Sequence, residues 1–398
     1  MDSKKPQVLF LPKWYPNRLD EFDGNFIENH ARAIAAFADI AVIFIHSDEL
    51  NGNSNYEVLQ SAPFGYPEIR VYFRKPSFSL LQLEKAVTLY RYWRAQRKAW
   101  KIYRRKYGTP DLTHVHVLTR SALLALFLKK VKGIPYIISE HWSGYFKESG
   151  AYRGAMKKIF TKMVVRNASV TTVVSDYLRK AMQSHGLTGN YEIIPNVVAT
   201  DIFKPVLGEE QNAKKKIIHV STLDVVPKNL PRILEVIAKL RSYRDDFSLD
   251  IYGDGPDRPV IEKKITELKL DHAVTLHGNV PQAEVAVAIA DSDVLVLFSL
   301  YENQPCVMIE AWSAGTPVIA PRIGGIPEHL DAKKGMLIEK SNLAELENAL
   351  NNVLDNKLEV SPSGMREYAL ENFSEEKVGQ CFLNVYLKVL KRSSASDL

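Results

Sequence analysis

Two glutamates lie on either side of a predicted helix start in the second half of the chain. Residues 294–320 (VLVLFSLYENQPCVMIEAWSAGTPVIA) open with an apolar run typical of a buried strand. Pro305 suits the first turn of a following helix, and Gly315 suits the position just past its end. A helix start at the carboxyl end of a parallel strand binds anions, because its free N–H groups and its dipole point outward together. Glu302 then lies on the loop before this anion site, and Glu310 lies about two turns inside the helix.

This spacing suits a ligand with a diphosphate at its centre. A diphosphate at the helix start leaves one carboxylate near each end of a nucleotide-sugar, so that Glu310 accepts hydrogen bonds from ribose hydroxyls and Glu302 from sugar hydroxyls. We count Asn303, Gln304 and Pro305, which lead into the helix, among the candidate donor-binding residues. The alternative is that two glutamates eight residues apart simply share a solvated face.

The elements around this segment alternate between strand-like and helix-like stretches in both halves of the chain. Short apolar strands alternating with helices are typical of a parallel sheet covered on both faces. The sequence therefore predicts two α/β domains. The predicted strands are 7–12, 40–45, 112–117, 135–139, 168–174, 216–220, 249–252, 273–276, 294–299 and 318–320, and the predicted helices include 26–37, 121–130, 230–243 and 258–268.

Length and composition agree with two domains that can each bury a core. The chain has 398 residues, 46% hydrophobic and 25% charged, which excludes disordered, collagen-like and coiled-coil proteins. We divide it into residues 1–203, 204–375 and 376–398, the last being a C-terminal helix that crosses back to the first domain, and a tail. With no secretory leader, no apolar run of about 18 residues and only two cysteines, we expect a cytoplasmic protein, at most peripheral to the inner membrane face.

Charge is distributed unevenly along the chain. Residues 1–200 carry a net charge of +13 and the remainder −7. Within the first half, residues 74–106 hold eleven basic residues and one acid, and five aromatic rings fall between residues 90 and 103. The pattern of residues 85–106 therefore predicts a basic aromatic helix that could lie on an anionic membrane surface. The alternative is a surface helix whose rings pack on its own domain. Nucleic acid is not expected, because no zinc-finger or RNA-binding motif accompanies the basic residues.

Three further groups of residues have metal-binding or nucleophilic types. His114 and His116 point to one face of a predicted strand, but no third ligand occurs at metal-binding spacing, so we interpret them as cleft lining or core. The D-x-D sequence at 291–293 sits between a helix and a buried strand, where capping is the expected role. Cys306 opens a helix, which could lower its pKa, but no histidine lies in its local motif, so a nucleophilic role is not expected. The sequence thus predicts no metal site.

The order of motifs strongly resembles that of the retaining glycosyltransferases of family 4, which have two Rossmann-like domains facing each other across a cleft (the GT-B fold). Glu302 and Glu310 form E-x7-E, followed by A-x-x-x-G-x-P-V-I-A and by GGIPE at 324–328. Matching segments cover nearly the whole chain: WYP at 14–16 with GNF at 24–26, IIPNV at 193–197 with Phe203, 219–229, YGDGP at 252–256 and LHGNV at 276–280.

The resemblance implies transfer of a sugar, with retention of configuration, from a UDP- or GDP-sugar to a lipid-linked or polysaccharide acceptor in cell-surface glycan biosynthesis. The second domain would bind the nucleotide and the first domain the acceptor. Glu310 would hold the ribose and Glu302 the donor sugar, while Lys228 would neutralise the leaving diphosphate. No metal would be required, because Lys228 and the helix start already supply positive charge.

Three further positions take roles from the same resemblance. Gly24 would let backbone approach the diphosphate from the first domain. Backbone from Gly278 to Val280 would face the nucleotide base. His141 would lie on the acceptor side of the cleft, near the donor sugar.

One departure from the family pattern concerns the positive charge in the cleft. The family usually pairs the lysine with an arginine just after the preceding strand, where this chain has Ser221 and Thr222. Either another base such as Arg322 completes the pair, or activity is weakened or lost. The alternative function is therefore a nucleotide-sugar-binding protein without transfer activity; a nucleotide-sugar epimerase on the same fold is a third hypothesis.

Overall fold

The computed structural model describes residues 5–50, 53–77, 81–206 and 214–396, with side chains described as far as residue 392. Two sheets with helices on both faces make up the molecule. The elements of the first half are β1 (Gln7–Pro12), α1 (Asn25–Ala35), β2 (Asp39–Asp48), β3 (Tyr56–Ser61), β4 (Glu68–Arg74), α2 (Leu81–Tyr107), β5 (Leu112–His116), α3 (Ala122–Lys132), β6 (Tyr136–Glu140), α4 (Ala155–Asn167), β7 (Val170–Val173), α5 (Asp176–Ser184) and β8 (Tyr191–Ile193).

The second half repeats the alternation and ends in three consecutive helices. Its elements are β9 (Lys215–Val220), α6 (Val225–Lys228), α7 (Leu230–Arg241), β10 (Phe247–Tyr252), α8 (Arg258–Glu267), β11 (Val274–Gly278), α9 (Gln282–Ala290), β12 (Val294–Val296), α10 (Cys306–Ala314), β13 (Val318–Pro321), β14 (Gly335–Ile338), α11 (Leu343–Leu354), α12 (Pro362–Phe373) and α13 (Glu375–Ser396).

Both sheets have the doubly wound topology expected from the alternating pattern. The first has strand order β3-β4-β2-β1-β5-β6-β7-β8 and the second β11-β10-β9-β12-β13-β14. Every pairing is parallel except that of β3 with β4. The prediction of two α/β domains with Rossmann-like sheets is confirmed.

Apolar side chains on both faces of each sheet explain why the strands are near-continuous apolar runs. In β1, Leu9 and Leu11 pack into one cluster while Val8 and Phe10 pack into the cluster on the opposite face. Alternate residues of a strand point to opposite faces, so burial on both sides requires an apolar residue at every position.

The last helix packs against the first half of the chain. Val378, Phe382 and Tyr386 of α13 are buried in the cluster that contains Ile27 and Ile34 of α1. The chain therefore begins and ends in the same half of the molecule. No helix in the described ranges is both long enough and apolar enough to cross a bilayer.

Three sequence expectations need correction. β12 stops at Val296 rather than residue 299, because the chain then turns toward the cleft. Helix α10 begins at Cys306, so Pro305 is its N-cap and not part of its first turn. Helix α2 covers the predicted 85–106, but the rings of Tyr92, Trp100 and Tyr103 are buried, which favours the alternative of packing on their own domain.

Candidate active site

The two sheets bring the ends of their central strands to one cleft. β1 lies between β2 and β5, and β9 lies between β10 and β12, so the strand order reverses beside the first strand of each sheet. Ligands of open α/β sheets bind at the carboxyl ends of the strands at such points. Loops from both points line a cavity of about 950 Å³. Its walls include Glu28, Arg32, His141, Thr222, Lys228, Val280, Glu302, Asn303, Gln304, Pro305 and Glu310.

An ion pair occupies the second-half wall of this cavity. Lys228 Nζ, at the end of α6, lies 2.6 Å from Glu302 Oε1, on the loop after β12. The hydroxyl of Ser299 donates to the same oxygen at 2.9 Å. The side chains are only 23% and 12% exposed. The two charges compensate each other, and an anionic ligand would compete with Glu302 for the ammonium of Lys228.

The carboxyl group of Glu310, on α10, accepts no hydrogen bond from any described residue. Burial raises its pKa to about 7, because removal from water disfavours the charged form. Glu310 is half-buried in the cavity wall, and hydroxyl groups of a ligand would supply hydrogen bonds that the described residues do not. Its position supports the predicted ribose contact without testing it.

Cys306 corrects the expectation about its thiol. Burial raises its pKa, and the nearby carboxylates of Glu310 and Glu302 raise it further, so these outweigh the helix start. The thiol is protonated at neutral pH.

Asn303 and Gln304 hold the two halves together through their side chains. The hydroxyl of Ser175, before α5, donates to Asn303 Oδ1 at 2.7 Å, and Asn303 Nδ2 donates to the carbonyl oxygen of His141 at 3.1 Å. The backbone N–H of Asn196 donates to Gln304 Oε1 at 2.6 Å. The amide groups of both side chains are hydrogen-bonded within the protein, so any contact of this segment with a nucleotide-sugar is made by its backbone. That the segment binds the nucleotide-sugar stays a prediction.

The two predicted glycines have packing reasons of their own. Gly24 precedes α1 with φ of 66°, and a Cβ there would lie 2.4 Å from the backbone carbon of Trp14. Gly278 ends β11 with φ of 72°. A residue other than glycine would be strained at both positions. Neighbours Asn25 and Val280 line the cavity, so the loops reach the cleft even though the glycines themselves are buried.

His141 belongs to a cluster of buried histidines beneath the first-half wall. Its ring centroid lies 5.2 Å from that of His30 and 6.0 Å from that of His116. Burial lowers the pKa of all three, to about 4 for His30 and well below 6.5 for His116 and His141. Five of their ring nitrogens have no hydrogen-bond partner among the described residues. His114, in contrast, is bonded to Tyr386 and Ser139.

The sequence showed no third histidine at metal-binding spacing beside His116. Packing of α1 nevertheless brings His30 next to His116 and His141. One nitrogen from each of His30, His116 and His141 lies within 4.8 Å of the others. Tetrahedral Zn²⁺, with bonds of about 2.0–2.1 Å, would hold them about 3.3 Å apart. We therefore treat the rings as neutral hydrogen-bonding groups, and the absence of a required metal stays a prediction.

Thr222 and Arg322 are the two positions considered for a second positive charge beside Lys228, and they lie in different places. Thr222 lines the cavity and is exposed to it. Arg322 lines a neighbouring pocket and pairs with Glu339 at 3.0 Å, so it does not complete the pair in this conformation. Among the described residues that line the main cavity, the permanently cationic side chains are Lys228 and Arg32.

Sequence reasoning did not identify Arg32, although a signal was present. Glu28 and Arg32 are four residues apart in the predicted helix 26–37, on one face of α1, and both line the cavity. Residues 291–293 do not line the cavity, and Asp293 pairs with the neighbouring strand β9 rather than capping a helix. Asp293 accepts from Lys215 Nζ and the Lys216 backbone, both at 2.8 Å, at the start of β12 and away from the cleft.

Comparison with known proteins identifies both halves of the chain. A family model described as "Glycosyl transferases group 1" matches residues 203–372, and one described as "Glycosyltransferase Family 4" matches residues 24–202. The chain is 28% identical over 295 residues to the MMP alpha-(1->4)-mannosyltransferase of Mycolicibacterium hassiacum, covering 73% of this chain and 68% of the relative. It is 25% identical to the putative teichuronic acid biosynthesis glycosyltransferase TuaC of Bacillus subtilis, covering 86% and 88%.

Solved structures share the fold at lower sequence identity. The Anabaena protein Alr3699/HepE, in complex with UDP and glucose, aligns with a TM-score of 0.70 at 16% identity over 96% of this chain and 100% of that one. The chain spans about half the length of several other relatives that it matches, 47% of each. With both halves matched and the two-sheet fold shared, the chain belongs to the group 1 and family 4 glycosyltransferases and is a glycosyltransferase with the GT-B fold.

Proposed function

We propose that the protein transfers a sugar, with retention of configuration, from a UDP- or GDP-sugar to a lipid-linked or polysaccharide acceptor. The observation that carries the proposal is the grouping of the Lys228–Glu302 ion pair with the unpartnered Glu310 around the start of α10. These groups match the three parts of a nucleotide-sugar: diphosphate, sugar and ribose.

In the proposed reaction, the diphosphate takes the ammonium of Lys228 from Glu302. Charge that develops on the leaving oxygen is then stabilised by Lys228 and by the N-terminus of α10, without a metal. Glu302, freed from its ion pair, accepts hydrogen bonds from the donor sugar, and Glu310 accepts them from the ribose. Half-buried His141 would face the donor sugar from the opposite wall.

Support for the substrate classes comes from the relatives. HepE holds UDP and glucose in its crystal structure, and the mycobacterial relative is named as a mannosyltransferase. The relative matched over most of both chains is named for teichuronic acid biosynthesis. We therefore propose a glycan acceptor, with the protein acting at the cytoplasmic membrane face.

Thermal stabilisation by a panel of UDP-, GDP- and ADP-sugars, with magnesium or with EDTA, tests donor binding. A ligand that binds only the native state raises the melting temperature by mass action. We expect a shift with one nucleotide class, equal in magnesium and EDTA and reduced in Glu310→Ala. NMR of the product then reports its anomeric configuration. No shift with any nucleotide-sugar, or an inverted product, would contradict the proposal.

The scarcity of cations in the cleft favours one alternative, a donor-binding protein without transfer activity. Thr222 is exposed to the cavity, so an arginine there has room. Donor binding without turnover, with turnover gained in Thr222→Arg, would favour this alternative. Conversion of the donor without any acceptor would instead indicate an epimerase.

A further inference from the structure

Helix α4 exposes large apolar side chains to solvent. Met156 is 84% exposed and Ile159 67%, the two largest fractions among the exposed large apolar residues of the described chain, and Met163 is 40% exposed. Such residues occur singly on most proteins, but several on one helix face indicate a contact surface.

The three side chains form one stripe along α4. At about 100° per residue, residues 156, 159 and 163 fall within about 60° of one another around the helix axis. The buried residues Thr161, Val164 and Val165 occupy the other side of the helix. Helix α4 thus has two apolar faces, one packed on its own domain and one that no described residue covers.

Basic residues flank the exposed stripe. Helix α4 contains Lys157, Lys158, Lys162 and Arg166 and no acidic residue. None of these four takes part in an ion pair with a described residue, whereas the lysines of α8 pair with glutamates. The charge is therefore left for an external anionic surface. An apolar stripe flanked by unneutralised cations is typical of a helix that lies in the headgroup region of an anionic bilayer.

The position of α4 places such a surface at the rim of the cleft. Lys157 Nζ lies 3.7 Å from the ring centroid of Trp142. Trp142 stands between His141 and Ser143, which both line the cavity. Helix α4 therefore begins at the rim of the cleft, and its exposed stripe faces away from the helix face that packs there.

Helix α2, the membrane helix predicted from the sequence, is less suited to this role. The exposed apolar side chains of α2 are spread over about 200° around the helix axis, against about 60° for the stripe of α4. They include Leu81, Leu83, Leu89 and Tyr90, 45% to 59% exposed. The larger rings of α2 are buried in the core. The structure thus favours residues 155–167 over 85–106 as a membrane contact.

We propose that α4 is a membrane-docking helix. Met156, Ile159 and Met163 insert at the headgroup boundary, while Lys158, Lys162 and Arg166 contact anionic lipid. Docking presents the cleft to an acceptor embedded in the same bilayer. The assignment of a lipid-embedded acceptor rests on the proposed function; the docking surface itself does not.

Co-sedimentation with phosphatidylcholine vesicles, with or without phosphatidylglycerol, tests the proposal. The full chain should sediment with the anionic vesicles, less so at high salt, and at least about tenfold less with phosphatidylcholine alone. The triple variant Met156→Ser, Ile159→Ser, Met163→Ser should lose at least about tenfold in binding to anionic vesicles. The matched triple variant of α2, Leu83→Ser, Leu89→Ser, Tyr90→Ser, should bind like the original.

A charge-reversal pair separates specific docking from general attraction. Lys158→Glu with Lys162→Glu should abolish binding, whereas Lys98→Glu with Lys101→Glu on α2 changes the net charge equally and should leave most of it. Absence of vesicle binding by the original protein, or equal binding by the α4 variants, would overturn the inference. Equal binding by the α4 variants is also the result expected if the stripe of α4 binds a protein partner instead of a bilayer.

Thermal shifts with nucleotide-sugars, measured on the same variants, separate this inference from the proposed function. The α4 variants should keep the donor shift of the original protein, which also reports that they fold. A donor shift without vesicle binding overturns the docking helix alone. Vesicle binding without any donor shift contradicts the proposed function and leaves the docking helix supported.

Discussion

The two walls of the cleft differ in how they carry charge. The second-half wall holds an ion pair, Lys228 with Glu302, and the partnerless carboxyl of Glu310. The first-half wall rests on buried rings that are neutral, because burial lowers the pKa of His116 and His141. The charge of the second-half wall lies at the start of α10, where it suits a diphosphate, whereas the charge of the first-half wall, from Glu28 and Arg32, lies beside neutral rings.

The largest expected effect of this difference is greater acid lability of the first half than of the second. Burial lowers the pKa of His30, His114, His116 and His141 there, against two histidines, His219 and His329, in the second half. Below pH 6.5 the unfolded chain takes up protons that the folded chain refuses, so stability falls as pH falls toward about 4. For His30 alone this is roughly 3 kcal/mol. Digestion with endoproteinase Glu-C, which is active over this range, between pH 6 and 4 and mapped by mass spectrometry, should cut residues 1–203 first.

A variant of the second half sharpens the acid comparison. His219→Gln removes a histidine whose pKa lies at about 4 and should make the second half less sensitive to acid, widening the difference. His272→Gln, at an exposed position, is the control and should change nothing. Simultaneous cleavage of both halves would show that the histidine cluster does not set acid lability.

The next effect concerns the charged wall. Lys228→Ala should lower kcat about 10²–10³-fold, because the ammonium acts on charge that develops in the transition state. Lys263→Ala, on the exposed surface of α8, removes equal charge far from the site and should leave kcat unchanged. Steady-state kinetics with the donor found by thermal shift measures both. A fall in donor affinity with unchanged kcat would place Lys228 in binding only.

The sequence predicts the second-half wall of the cleft much better than the first-half wall. Glu302, Glu310 and the start of α10 occur within one short segment, so strand and helix signals alone place them together. His30 reaches His116 and His141 only because α1 packs across β1 and β5, a long-range contact that no local pattern reports. Arg32 reaches the cleft for the same reason.

A similar division holds for the fold. The apolar strand predicted at 7–12 is confirmed as β1, because burial on both faces leaves a continuous apolar run. The edge strand β3 has no such run, since it is half exposed along its length, and the prediction omitted it. The rings of α2 show the limit of composition, which cannot tell an aromatic residue that packs inward from one that faces outward.

The carboxyl group of Glu310 predicts a pH dependence of donor binding. With a pKa of about 7 this carboxyl group is mostly protonated at pH 6, whereas ribose hydroxyls donate best to the ionised form. Donor Kd should therefore rise as pH falls below 7, by at most about tenfold per pH unit. Glu310→Gln should bind more weakly at pH 8 and show a flatter profile. Calorimetric titration from pH 6 to 8 measures both, and a parallel slope in the variant would assign the titration to another group.

The smallest expected effect concerns the contact that holds the two walls together. Glu328, in the second half, accepts hydrogen bonds from the backbone N–H groups of Asp176 and Tyr177, each at 2.9 Å, and so caps α5 of the first half. Glu328→Ala removes a cap that typically contributes about 1 kcal/mol. We expect a donor KM raised about fivefold with little change in kcat, because the contact favours the closed cleft and touches no reacting atom. Glu339→Ala, which breaks the ion pair with Arg322 within the second half, is the control. If both variants raise KM equally, closure of the cleft does not depend on Glu328, and the two walls are held by the Asn303 and Gln304 contacts instead.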